Sequence, residues 1–316
     1  MKYKEREFLH IFIISTPISA MVAYEYIHEK NIDKKLIKII TLRNLSFSLL
    51  SSFNVIVHKK SLFQKIANKL SSKYFSQSSI IRRKIEINKK NFILYIPFLS
   101  DLALEITKSE NCKGHIYLEE GEQSYKNFLL FPNSKSYNRV SKKEVGEYKF
   151  TDYYREDGLQ WIGITRNSFP TAPKSKKYIL KSFRHVKKKY VPYLRKYINI
   201  LLLPTPARLP RQKWKIAVKK LAKNINAPFA LKLHPAFENN AEVRNYFNSI
   251  LKDLGYSNSI ICNGNVIIEA EMLFSKKILV GDRSSLFRYA NLLGSSIKKI
   301  NFLWKKPETV YLKHKF

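Results

Sequence analysis

The chain has 316 residues, with 58 Lys+Arg against 24 Asp+Glu and a formal charge of +34. Hydrophobic residues make up 45% and aromatics 13%, enough to build real cores, which excludes wholesale disorder. Such a charge draws a chain to something anionic, such as a membrane surface, a nucleic acid or a phosphorylated substrate, yet the basic runs (Arg82 to Lys84, Lys174 to Lys177, Lys187 to Lys189) are short and scattered, so solvated surface accounts for it equally well.

The length suggests two domains of roughly 150 residues each. Cys112 and Cys262 lie far apart, with neither metal-ligand spacing nor a disulfide framework, which fits a reducing compartment. No apolar run approaches the ~20 residues of a membrane span. The opening "MKYKEREFLHIFIIS" has some look of a signal peptide. Glu5 and Glu7 in its basic part, and His10 in its short apolar part, favour a first buried strand instead.

In chain order, Phe8 to Ser15 reads as that strand, and Thr16-Pro17 caps a helix running to about Glu29. Leu36 to Ile40, Val55 to Val57, Phe92 to Ile96 and His115 to Leu118 read as further strands. Residues 134–176 are polar and punctuated by Gly and Pro, and lead into a linker. From Ile198 the alternation is clear. Strands at 198–203, 229–233, 259–262, 277–280 and 297–303 are separated by helices. Trp214, Ala217, Val218, Leu221 and Ala222 give one apolar helical stripe after Pro210, and Leu286, Tyr289, Ala290 and Leu293 give another after Ser284-Ser285. A helix over about 238–254 and a short one over Val266 to Phe274 complete the pattern. Repeated strand–helix alternation with short connections means parallel sheets covered on both faces. The fold class expected is therefore α/β, two Rossmann-like domains facing across a cleft. The boundaries expected are 1–170, a linker over 171–197, and 198–316, with the C-terminal tail packing back on the first domain.

Ligand sites in such sheets lie at the carboxyl ends of strands, and three stretches there carry chemistry. After His115 to Leu118 come Glu119, Glu120 and Gly121. Two adjacent acids can raise one another's pKa, as a general base requires, and the glycine lets the backbone turn. Glu156-Asp157-Gly158 repeats the pattern, but no strand leads into it, so it reads as a surface turn. After strand 229–233 come His234 and Pro235, with Lys232 on the same side of the strand as His234. A capping histidine is the plain structural alternative to a Lys–His phosphate clamp aimed by the proline. After Ile278 to Val280 come Gly281, Asp282, Arg283, Ser284 and Ser285, where a helix begins. Free N–H groups and two hydroxyls there make an anion site, against the alternative of an ordinary helix cap. No Walker loop, GxGxxG, HExxH, GxSxG or DxD occurs.

The acidic pair with glycine, His-Pro and the paired serines, in this order, resemble the bacterial sialyltransferases of the lipooligosaccharide sialyltransferase and capsular polysialyltransferase families. "FIISTPISAMVAYEYI", "INILLLPTP" and "IIEAEMLFSKKILVGDRSSLF" are similar to their opening strand and helix, donor-domain strand and donor-site stretch, so the resemblance runs from residue 8 to about 295. It implies a GT-B fold and metal-independent, inverting transfer of sialic acid from CMP-sialic acid to a hydroxyl of a surface glycan, with no cofactor. By position it makes Glu119 or Glu120 the base, with the first acid preferred. It puts His234, with Lys232 and Pro235, on the CMP phosphate, and Gly281, Ser284 and Ser285 at phosphate oxygens. Glu271 would take the ribose hydroxyls. Arg283 departs from the smaller residues of those families and would clamp the donor carboxylate or face solvent. Ser15, Thr16 and Gly121 would lie on the acceptor side.

A transferase using CMP-Kdo is the nearest rival, because the motifs read CMP and not the sugar. A nucleic-acid-binding protein, prompted by the charge, and an inactive paralogue are the others; dense interleaving of aromatic and basic residues is lacking, so nucleic acid is not expected as a partner. The partners expected are CMP-sialic acid, a lipid-linked glycan acceptor and an anionic membrane surface. The place expected is the cytoplasmic side of the inner membrane, by peripheral attachment. Acceptor, linkage, polymerisation and oligomeric state are not written in the sequence.

Overall fold

The computed structural model describes residues 8–42, 48–57, 90–127, 130–131, 154–204, 210–223, 225–234, 237, 240–282 and 284–300. It divides into two compact units, Met1–Tyr190 and Val191–Phe316. The expected linker 171–197 straddles that division. Its first part holds a strand, Lys177–Ile179, and a helix, Arg184–Lys189, of the first unit. The expected packing of the C-terminal tail falls on residues 301–316, outside the described residues.

The first unit is built on β1 (Leu9–Ile14), β2 (Ile37–Thr41), β3 (Asn54–Val57), β4 (Phe92–Ile96) and β5 (Cys112–Leu118). Beyond a short pair, β6 (Leu130–Phe131) and β7 (Tyr154–Arg155), come β8 (Gln160–Gly163) and β9 (Lys177–Ile179). The seven-stranded sheet runs β3-β2-β1-β4-β5-β8-β9, and every pairing in it is parallel. The period-2 pattern sorts its faces. Leu9, Ile11 and Ile13 join Phe92, Leu94, Ile96 and Trp161 in one core. On the opposite face, His10 hydrogen-bonds Tyr95 (Nδ1 to OH, 2.9 Å) and Phe12 stacks on the same ring, centroids 4.0 Å apart. The helix Pro17–Glu29 brings Tyr26 to Tyr95 there. The helix starts where the sequence says it should. Thr16 caps it, and Thr16 and Ser19 satisfy each other's N–H groups.

β8 and β9 were not expected. Trp161 and Ile162 are fully buried, and β8 pairs directly with β5. Glu156-Asp157-Gly158 is the turn into β8 and is only partly a surface feature. Asp157 pairs with Arg155 and lies 3.7 Å from the buried His115. Gly158 is buried, and a Cβ there would meet the Tyr117 ring at 2.8 Å.

The second unit carries β10 (Asn199–Leu202), β11 (Phe229–Lys232), β12 (Ile260–Ile261), β13 (Ile278–Gly281) and β14 (Ser296–Lys299), in the order β12-β11-β10-β13-β14 and all parallel. Leu201, Phe229, Leu231 and Val280 pack on one face with the stripes of helices Trp214–Ala222 and Ala241–Asp253. Ile200, Ala230 and Leu279 are buried on the other. Each sheet therefore has a point where chain order reverses, between β1 and β4 and between β10 and β13. Those points are where open α/β sheets receive ligands.

Candidate functional site

The first switch point gathers Ser15, Thr16, Glu119, Glu120 and Gly121. Gly121 adopts φ +143°, ψ −149°, a region essentially closed to residues with a side chain, so the chain can turn sharply after the acids. The turn returns Ser124, whose hydroxyl accepts the Glu120 N–H at 3.0 Å. Thr16 donates its hydroxyl to the Glu120 carbonyl at 2.8 Å, tying the end of β5 to the start of the first helix.

The two acids differ. Glu119 is fully buried, and three donors meet its carboxylate. Tyr125 O–H lies 2.7 Å from Oε1, and the Ile164 N–H and the Ser168 hydroxyl each lie 2.7 Å from Oε2. Gly163 makes room for this, since a Cβ there would sit 2.6 Å from that of Ser168. Burial and the adjacent Glu119 charge push the Tyr125 phenol up. Glu120 is also buried, 9% exposed against 0% for Glu119, and its Oε2 has a long contact, 3.5 Å, from the Ser15 hydroxyl.

The second switch point receives β11 and β13 on either side of β10. Lys232 and His234 leave β11 there. Both are partly buried, and the His234 carbonyl accepts the Phe237 N–H at 2.8 Å. Pro235, which was expected to aim His234, lies outside the described residues, as does Arg283. Gly281 ends β13 in close contact with β10, where a Cβ would lie 3.1 Å from Leu202 Cβ. Ser284 is partly buried and accepts the Leu286 N–H at 3.2 Å; Ser285 is exposed.

Sequence reasoning missed Glu269. It sits in the first turn of the short helix Ile268–Met272, buried, with Lys232 as its neighbouring cation. Burial raises its pKa to about 7, against the opposing pull of its own backbone N–H and of Lys232. Glu271, the residue expected to hold a ribose, is fully buried with both oxygens engaged by backbone. The Tyr193 N–H lies 2.7 Å from Oε1 and the Leu194 N–H 2.9 Å from Oε2. The signal for Glu269 was present in "IIEAE", because acids two apart on a helix face different ways and only one can serve a given partner.

Among the described residues, no group of three or more His, Cys, Asp or Glu could hold a metal ion, and no helix is long and apolar enough to cross a membrane.

No family model matches the chain, and no curated protein matches it in sequence. Solved structures do match. A putative UDP-N-acetylglucosamine 2-epimerase from Listeria monocytogenes is 12% identical with a TM-score of 0.52, over 92% of this chain and 78% of that one. UDP-GlcNAc 2-epimerase from Neisseria meningitidis, bound to UDP-GlcNAc, is 13% identical with a TM-score of 0.42, over 91% and 81%. HepE from Anabaena, in complex with UDP and glucose, is 10% identical with a TM-score of 0.40, over 92% and 80%. At such identity the likeness speaks for fold alone. With two parallel sheets of Rossmann order and the Listeria structure matching over most of the chain, the fold is GT-B.

Proposed function

We propose that this chain is a glycosyltransferase that moves sialic acid from CMP-sialic acid to a glycan hydroxyl, with inversion. The observation that carries the reading is the end of β11. Lys232 and His234 emerge together at the second switch point, and Lys232 neighbours a buried carboxylate, Glu269, on the first turn of the helix Ile268–Met272 that follows β12. Lys232 and His234 would offset the phosphate charge of CMP, with Ser284 and Ser285 as hydroxyl donors. Glu269, in place of Glu271, would accept hydrogen bonds from the ribose hydroxyls.

In the first unit the proposed base is Glu120. The Glu119 carboxylate is held in place by three short hydrogen bonds that reach both of its oxygens. Glu120, buried but 9% exposed against 0% for Glu119, has a long contact, 3.5 Å, from the Ser15 hydroxyl at its carboxylate Oε2. In the step, the acceptor hydroxyl gives its proton to Glu120 as its oxygen bonds to the anomeric carbon. The bond from that carbon to the CMP phosphate oxygen breaks, and its electron pair leaves with CMP. His234 meets the charge that develops on the phosphate.

The test is CMP release from CMP-sialic acid in EDTA, with and without galactose-terminated acceptors, for wild type and His234→Ala. Release that rises with an acceptor and falls by roughly 10²-fold or more in the variant is expected. CMP-Kdo and UDP-GlcNAc serve as parallel donors, the latter because the fold is shared with a putative UDP-GlcNAc 2-epimerase. Turnover of CMP-Kdo alone would keep the mechanism and change the sugar. Turnover of UDP-GlcNAc alone, or an unimpaired His234→Ala enzyme, would sink the reading.

A further inference from the structure

The end of the second sheet opposite Lys232 and His234 carries a different surface. The segment 191–198, "VPYLRKYI", crosses it. Leu194 is fully buried, while Val191 is 77%, Tyr193 70% and Ile198 57% exposed. Arg195 and Lys196 are exposed between them. An exposed aliphatic residue by itself is ordinary, but three large ones interleaved with cations in eight residues are not.

This segment is fixed by two buried charges. The Glu271 carboxylate holds the N–H groups of Tyr193 and Leu194. The buried Lys277 ammonium donates to the Leu194 carbonyl at 2.6 Å and to the Tyr197 carbonyl at 3.0 Å. Burying a carboxylate and an ammonium costs several kcal/mol per ion before compensation. Here that cost goes into holding one surface segment in a single shape, with its apolar side chains turned outward.

Next to it lies an open depression of about 720 Å³ at the starts of β10, β11 and β13. Lys196, Lys223 and Lys298 stand on its wall, with Ile198, Ile225 and Pro228 between them. Residues 191–200, 223–228 and 296–300 contain no acid at all. Apolar side chains presented at fixed positions inside a ring of cations match a bilayer interface. There the aliphatic and tyrosine groups enter the headgroup region while lysines meet anionic phosphates.

We propose that this end of the second unit docks on an anionic phospholipid bilayer. A nucleic acid would use the lysines but has no partner for exposed Val191 and Ile198. The inference stands apart from the choice of donor sugar.

The test is vesicle flotation of the full chain with phosphatidylcholine alone and with about one-third phosphatidylglycerol added. Wild type should float with the anionic vesicles only. Tyr193→Ser with Ile198→Ser should lose flotation, and Lys196→Glu with Lys223→Glu should lower the partition by about tenfold or more. Lys34→Glu with Lys35→Glu makes the same charge change at exposed residues of the first unit and should leave flotation nearly unchanged. Circular dichroism melts check that each variant folds. Patch variants that float like wild type, or a Lys34/Lys35 variant that loses as much, would reduce the effect to diffuse charge and overturn the proposal. So would a wild type that shifts random oligonucleotide but floats with neither vesicle.

Discussion

Each unit holds two acids close together in sequence, and in each the two have different fates. Three donors meet the Glu119 carboxylate, while Glu120, also buried, has a long contact from the Ser15 hydroxyl. Glu271 holds two backbone N–H groups while Glu269, two residues earlier, is buried beside Lys232. The distinction lies in the backbone that arrives from elsewhere. In the first unit it is the Ile164 N–H just past β8; in the second it is the 193–194 segment. A buried carboxylate that receives backbone N–H groups is a structural part, because leaving those donors unmet would cost about 1–3 kcal/mol each.

The sharpest way to break this comparison is at the first pair. Glu120→Gln should cut transfer by about 10²–10⁴-fold, the usual worth of a positioned base, with little change in melting temperature. Glu119→Gln should do the reverse. It puts an amide among Tyr125, Ser168 and the Ile164 N–H, which should cost about 1–3 kcal/mol of stability while the folded fraction keeps most of its rate. Paired chemical denaturation and initial-rate measurements decide. A stable Glu119→Gln protein with no transfer would hand the role of base back to Glu119.

At the second pair, Glu271→Ala leaves the Tyr193 and Leu194 N–H groups unmet and removes the carboxylate that favours the charged form of buried Lys277. Breaking such an arrangement on one side costs about 3–5 kcal/mol. Unfolding free energies of Glu271→Ala and Glu269→Ala from urea titrations should differ by about 1 kcal/mol or more. Equal free energies would erase the division between structural and ligand-facing acids in this unit.

Much of the fold was legible. The second sheet announced itself because its strands are continuous apolar runs between amphipathic helices, and in the first sheet β1 to β5 read almost as well. β8 and β9 did not. β8 offers only Trp161 and Ile162 between Gly158 and Gly163, and β9 is the partly buried Lys-Tyr-Ile at a sheet edge. Neither has a period of its own; each is a strand because a partner strand supplies hydrogen bonds and cover. Missing β8 had a consequence for the site. The donors that occupy Glu119 sit at 164 and 168, just past a strand that local sequence does not reveal. The acidic pair was readable at the end of β5, but the division of labour between its members was not. The same holds for Glu269 and Glu271, whose difference is made by residues 193–194, far away in the chain.

The pH response of Glu269 tests the second pair from another side. Its folded pKa, about 7, lies above the ordinary 4.5 because burial disfavours the charge. Below pH 4.5 both folded and unfolded chains hold the proton, so this residue gives no pH dependence. Between 4.5 and 7 the unfolded chain releases it first, and stability falls as pH rises, by on the order of 3 kcal/mol in total. Glu269→Gln removes the titration, so the variant should match wild type near pH 4.5 and exceed it near pH 8. Ligand binding should run the other way, since ribose hydroxyls donate best to the ionised carboxylate. Cytidine, which carries the ribose without the phosphate, should bind wild type more tightly at pH 8 than at pH 6, by a few-fold, and bind Glu269→Gln equally at both. A flat wild-type response in both stability and cytidine affinity would mean that Glu269 does not titrate between pH 4.5 and 7. The ribose would then need another partner at the second switch point.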